Sequence, residues 1–220
     1  MDKKELKKTI RAEFGKYLAE LGFYRKREGV YIRICENVIH NISFEFGSIG
    51  FTCVIAMQPI YIKVGTPSIF LHLTFGSRLS RFRIIQKEWW SYDEPKKGIV
   101  EIKELLNKNG FPWFDQYGTP RGVIDFISGG KVEEYGLWFD KFHQQQYLGF
   151  SLLYIGQIEK GIRALQAMCN EISENAVEFM KEYKIQINSF IDMITKDPNS
   201  LRTALDDIVQ ENRAALKIKM

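Results

Sequence analysis

The sequence predicts an α+β fold: an N-terminal helix packed on a mostly antiparallel sheet, followed by an all-helical C-terminal region. Three observations predict it. Leu6, Ile10, Phe14, Leu18 and Leu21 recur at helical spacing over residues 2–21, with Lys, Arg and Glu on the other face. From Gly29 the apolar period changes to two and holds through several short runs separated by turn residues. After Thr119 the spacing returns to that of helices. The natural division is an α+β domain over 1–118 and a helical region over 119–220.

Gly22 follows the first helix, where a residue without Cβ can take the left-handed conformation that ends it. Arg25-Lys26-Arg27 comes next and reads as a solvated turn between helix and strand, with a phosphate-contacting patch as the alternative. Val30, Ile32 and Ile34 then alternate with Tyr31, Arg33 and Cys35. A second run puts Val38, His40, Ile42, Phe44 and Phe46 on one face and Asn41, Ser43 and Glu45 on the other. Gly47-Ser48-Ile49-Gly50 makes a turn, Phe51–Met57 a third strand with Pro59 near its end, and Phe70–Phe75 a fourth after a loop at Gly65, Thr66 and Pro67. Short turns between successive strands favour antiparallel pairing, and the first helix is expected to cover one sheet face.

Residues 78–118 form the centre of the chain. Arg78, Arg81 and Arg83 precede the pair Trp89-Trp90, followed by Ser91-Tyr92-Asp93-Glu94-Pro95. Neighbouring side chains on a strand alternate faces, so one of the two tryptophans must point away from the core. An exposed Trp beside arginines is a candidate contact surface, because Trp, Tyr and Arg dominate interface energetics. The alternative is that the second ring lies under the Pro95–Lys97 loop or the helical region. Glu101–Asn109 reads as a short helix ended by Gly110, and Phe111-Pro112-Trp113-Phe114 as a dense apolar turn. The candidate binding residues are Arg78, Arg81, Trp89, Trp90, Tyr92, Asp93 and Trp113.

Parts of this pattern resemble the bacterial domain-of-unknown-function family 4304. The resemblance runs over residues 3–118 and is carried by the helix-ending step Leu21-Gly22-Phe23, the Arg-bearing strand Val30–Ile34, the order Arg78, Arg81, Trp89, Trp90, and the turn Gly110-Phe111-Pro112. It implies an α+β domain and carries over no activity. It also implies company with small accessory proteins of bacteria, including immunity-type partners.

Thr119-Pro120 is a helix start, Thr as N-cap and Pro at the first helical position. Gly129-Gly130 breaks the pattern before Val132–Phe142. Leu148-Gly149, Leu152-Leu153, Gly156, Ile158, Gly161 and Leu165 then match the spacings of one tetratricopeptide-like helix pair at about 142–183, although Gly161 stands where that repeat has Ala and no Pro closes the unit. Its second helix is expected to reach Tyr183, with further helices over Gln186–Thr195 and after the turn Asp197-Pro198-Asn199-Ser200.

Composition limits the functions available. Apolar residues are 45% and charged residues 26%, enough for a core and unlike bulk disorder. A net charge of +4 is mild for a domain built to track phosphates. The three cysteines, Cys35, Cys53 and Cys169, sit in apolar surroundings and fit buried thiols in a reducing compartment. The N-terminus is charged, no apolar run approaches the roughly 20 residues that span a bilayer, and the expectation is a soluble cytoplasmic protein without cofactor. His40 and His72 lie among apolar residues and His143 near an expected helix end, none at ligand spacing. The leading reading is a non-catalytic protein-interaction module. A nucleic-acid or phosphate-acting protein is the alternative, using Lys3, Lys4, Lys7, Lys8, Arg25–Arg27, Arg78 and Arg81. Interspersed Glu5, Glu13, Glu20 and Glu28 speak against it.

Overall fold

The computed structural model describes residues 2–63, 75–83, 87–134 and 140–218. The loop expected at Gly65, Thr66 and Pro67, the strand expected over Phe70–Phe75 apart from Phe75, and His72 lie outside the described residues. So does the middle of the helix expected over Val132–Phe142. The chain forms two compact units. One is drawn from Met1–Cys35, Ile39–Gln58 and Leu71–Gly118, the other from Glu36–Val38, Pro59–Phe70 and Thr119–Met220.

The first unit begins with α1 (Lys3–Glu20), opened by Asp2, whose carboxylate accepts the Glu5 N–H at 2.7 Å. Leu6, Ile10, Phe14 and Leu18 are at most 1% exposed, and burial of each such side chain contributes about 2 kcal/mol. Leu21 is the C-cap and is exposed rather than part of this stripe. Gly22 follows at φ 80°, the left-handed position that releases the chain into the sheet. Strands β1 (Tyr24–Arg27), β2 (Val30–Cys35), β3 (Val38–Phe46), β4 (Gly50–Pro59) and β5 (Phe75–Arg78) lie in that order across the sheet, and β6 (Trp90–Ser91) pairs with β4 off this path. β1–β2, β4–β5 and β4–β6 pair antiparallel. Glu36 and Asn37 both take positive φ, 46° and 61°, as a two-residue turn joining twisted antiparallel strands requires.

Arg25-Lys26-Arg27 is therefore not a turn but the edge strand, with a bulge between Arg25 and Arg27. Four residues, three of them charged, suit an edge that must not pair with other chains. Phe14 of α1 meets Phe44 of β3 with ring centroids 4.7 Å apart, so α1 covers the face carrying His40, Ile42 and Phe44. The opposite face is buried too. Asn41 and Ser43 are 2% and 7% exposed and pair with each other at 2.8 Å.

The helix expected over Glu101–Asn109 begins earlier and does not stop at Gly110. α2 (Pro95–Leu105) passes through a π turn at Leu106–Gly110 directly into α3 (Phe111–Tyr117). Gly110 keeps right-handed helical angles; a Cβ there would stand 3.0 Å from Leu106 Cδ2 and 3.6 Å from Leu79 Cδ1. It is a packing glycine, not a stop. Pro112 falls at the start of α3, directly after the π turn.

The second unit is helical from Thr119. α4 (Pro120–Ser128) starts on the Thr119 hydroxyl, which accepts the Gly122 N–H at 3.1 Å, and α5 (Lys131–Glu134) follows the Gly129-Gly130 break. Asp140 then caps α6 (Lys141–Tyr154), accepting from the His143 N–H at 2.9 Å and meeting its ring nitrogen at 2.7 Å. His143 thus opens a helix instead of ending one. α6 and α7 (Ile158–Glu171) form a hairpin turned at Gly156, φ 81°. They cross at Gly149 and Gly161: a Cβ on Gly161 would fall 2.6 Å from Leu153 Cγ and 2.9 Å from the Gly149 carbonyl oxygen.

α7 ends at Glu171, short of Tyr183. Ser173-Glu174-Asn175 forms a turn closed by Ala176 N–H on the Ser173 carbonyl, and α8 runs unbroken over Glu178–Lys196 before α9 (Ser200–Ala215). Turn-forming side chains outweighed the apolar spacing there. Asn212 of α9, 5% exposed, donates to the carbonyls of Ile60 (2.8 Å) and Ile62 (2.9 Å) and holds that segment against the helix. Among the described residues, no helix is long and apolar enough to cross a membrane.

Candidate functional site at the tandem tryptophans

β6 consists of only Trp90 and Ser91, hydrogen-bonded to Phe51 and Gly50 of β4. Trp89 falls in the bend just before this strand, and the two indoles differ in burial. Trp90, 3% exposed, lies on the Phe51 side under the start of α2. Gly98 makes the seat: a Cβ there would stand 2.9 Å from Phe51 Cζ and 3.0 Å from Trp90 Cβ. Trp90 Nε1–H donates to Glu101 Oε2 at 2.8 Å. Arg83 reaches the same carboxylate with two N–H groups, at 2.7 and 3.1 Å, and its guanidinium lies 4.8 Å from the Trp90 ring centroid. A two-pronged, partly buried pair of this kind is among the stronger polar contacts. It fixes α2 to the chain that leads into β6.

Trp89 packs elsewhere. Its ring lies against Gly47, where a Cβ would come within 3.0 Å of Cζ3, and it is half-buried. The Arg78 guanidinium covers it at 5.3 Å from the ring centroid. Arg78 donates to Glu88 at 2.6 Å, and Glu45 stands 4.0 Å away, at the outer reach of an ion pair. The Glu88 contact and the indole face together place the guanidinium over Trp89. Ile49, 71% exposed, projects from the same β3–β4 turn that carries Gly47.

The other predicted residues divide between core and surface. Trp113 is 4% exposed, packed against Phe114 and Tyr117. Tyr92 donates its hydroxyl to the Gly47 carbonyl at 2.9 Å and stacks on Phe51. Asp93 is exposed and closes a turn with Ser91. Arg81 is exposed on the short 3₁₀ turn Leu79–Phe82. Residues brought together by the fold are thus Arg78, Trp89 and Tyr92 around Gly47, with Trp90 behind them and Trp113 elsewhere in the core. A cleft of about 700 Å³ opens beside them, lined by Phe82, Trp89, Lys97, Glu104 and Lys108 among others.

Sequence reasoning missed Glu101, Glu45 and Gly98. Gly98, Glu101 and Leu105 share one stripe of α2, so the carboxylate becomes findable once the helix is started at Pro95. Glu45 lies two strands away from Arg78 in the sheet order and left no local signal.

The basic clusters do not merge. Arg25–Arg27 are on β1 and Arg78 on β5, four strand spacings apart, or roughly 19 Å. Lys7 is engaged by Glu28 at 2.9 Å. His40 is a core residue, 2% exposed, stacked on Phe114 at 4.7 Å. Burial pushes the Cys53 and Cys169 thiols up, away from nucleophilic thiolate character. Among the described residues no group of three His, Cys, Asp or Glu side chains stands ready for a metal ion. Comparison with known proteins finds no matching family model, no matching curated protein and no matching solved structure.

Proposed function

We propose that the chain is a non-catalytic protein-interaction module whose contact surface is Trp89 with Arg78, Tyr92 and Ile49 around it. One observation carries this reading: Trp89 lies half-exposed beneath the Arg78 guanidinium, which donates to Glu88 and has Glu45 4.0 Å away. Ordered Trp and Arg side chains are what binding hot spots are made of. An immunity-type role for the partner pair is the sharpest form of the reading and rests on the resemblance to family 4304.

The test is quantitative affinity capture with the wild type, Trp89→Ala and Arg78→Ala. Trp89→Ala should keep the fold, lose little more than about 1 kcal/mol of stability, and fail to retain a protein that the wild type recovers in stoichiometric amount. Trp90→Ala is the contrasting variant, because it empties a core site and should cost about 3–5 kcal/mol. If Trp89→Ala and Arg78→Ala recover the same proteins as the wild type, this surface is not the contact.

A further inference from the structure

The second unit carries a groove that the reading above leaves unused. One helical stripe from each of three helices bounds it. α4 offers Arg121, Ile124 and Asp125; α6 offers Leu148 and Leu152, with Ile155 at its C-cap; α7 offers Lys160, Arg163 and Ala164. Each set falls within one or two turns on a single helix face. The space between them is about 520 Å³.

The chemistry of the walls differs from that of the floor. Leu148, Leu152 and Ile155 from α6 lie between cations on both sides, Arg121 on one and Lys160 and Arg163 on the other. Asp125 is the single carboxylate against those three cations. None of the three takes part in an ion pair among the described residues, although surface cations elsewhere in the chain do, as with Lys7–Glu28 and Arg202–Asp206. An apolar floor alone would accept many occupants. Arg121 and Asp125 share the α4 rim, so the excess positive charge lies on the α7 rim at Lys160 and Arg163 and selects an occupant with an acidic flank beside its apolar line.

We propose that this groove docks an acidic amphipathic helix of a protein partner. Leu-like side chains at i, i+3, i+4 and i+7 would enter between α4 and α7 along α6, and flanking Glu or Asp would meet Arg121, Lys160 and Arg163. The groove belongs to the second unit alone, so it stands or falls independently of Trp89.

The experiment uses the full chain and three fluorescein-labelled peptides of about 16 residues: a Leu/Glu amphipathic helix, the same composition scrambled, and the same helix with Lys for Glu. Fluorescence anisotropy should show saturable binding of the first alone, weakening as salt rises from about 50 to about 300 mM. Neutralising the rims with Arg121→Gln, Lys160→Gln and Arg163→Gln together should weaken it about tenfold, at about twofold for each exposed pair. Leu148→Ala, on the half-buried floor, should weaken it at unchanged salt dependence. Trp89→Ala should leave it unaltered. Equal binding of the scrambled peptide would reduce the groove to an anion-attracting patch and overturn the proposal. Equal binding of the Lys peptide, no saturation by the Leu/Glu peptide, or full affinity in the triple-Gln variant would overturn it as well. Binding of phosphatidylserine vesicles in place of the peptide would assign the cations to a membrane surface instead.

Discussion

Acidification should destabilise the first unit through His40. The ring is buried, stacked on Phe114, and has a donor on one side and an acceptor on the other. Arg33 Nε–H donates to His40 Nδ1 at 2.9 Å, and a guanidinium can only donate. Nδ1 is therefore the acceptor, and Nε2 carries the hydrogen that goes to the Gly118 carbonyl at 2.7 Å. A second proton would have to enter on Nδ1, against the Arg33 guanidinium and away from water. Burial is the main cause that brings the His40 pKa down, to about 4 from 6.5; Arg33 adds to it, while the Gly118 carbonyl and Asp115 oppose it. Below pH 6.5 the unfolded chain takes up this proton and the folded chain does not. The stability is present in full above pH 6.5 and is lost as pH falls from 6.5 to 4, where the folded form protonates as well. The loss over that window is about 3 kcal/mol. Urea unfolding at closely spaced pH values, for the wild type and His40→Gln, isolates the effect, because carboxylates titrating near pH 4 are common to both. The difference between the two proteins should shrink by about 3 kcal/mol from pH 7 to pH 4. A difference that stays constant, or a His40 ring that titrates near 6.5 by NMR, would refute the assignment of Nδ1 as a buried acceptor.

Three other perturbations follow from the packing. Asn212→Ala leaves the Ile60 and Ile62 carbonyls without their donor and should lower stability by about 3 kcal/mol in urea unfolding. Gly161→Ala gains about 1 kcal/mol of helix propensity but places a methyl group 2.9 Å from the Gly149 carbonyl. The overpacking costs about 1–3 kcal/mol, so a net loss in melting temperature is expected. Under native conditions a thiol reagent should react rapidly with Cys35 alone, because Cys53 and Cys169 are buried, and with all three cysteines once the chain is unfolded.

What could be read from the sequence was whatever depended on neighbours in the chain. The α1 stripe, the two-residue period of β2 to β4, the Thr119-Pro120 start and the helix pair around Gly156 all express local spacing. The misreadings share a physical origin. Gly110 and Pro112 are stop signals in isolation, but one packs against Leu106 and the other occupies a first turn, so α2 continues into α3. Arg25-Lys26-Arg27 lacks the apolar alternation of a strand because an edge strand does not need it. Asn37 and Asn212 look like ordinary surface amides. Asn37 meets Tyr154 at 2.8 Å and Arg213 at 2.9 Å, and these partners lie more than a hundred residues away in the chain. No local pattern encodes them.

The tandem tryptophans show how a core requirement can create a surface. β6 is two residues long and pairs with β4 through Trp90 and Ser91. Seating Trp90 between Phe51, Gly98 and Glu101 fixes the start of the strand, and Trp89, in the bend just before it, comes to rest against Gly47 whatever its role. Exposure of Trp89 is therefore no argument for binding by itself. What needs a separate cause is the arrangement around it. A solvent-facing ring next to a buried one requires neither a guanidinium over its face nor a carboxylate on the preceding residue to hold that guanidinium. Ordering those long side chains costs conformational entropy, and exposed pairs return little of it. Under the proposed binding role that ordering would have a use, because a surface ordered in advance loses less freedom when a partner arrives.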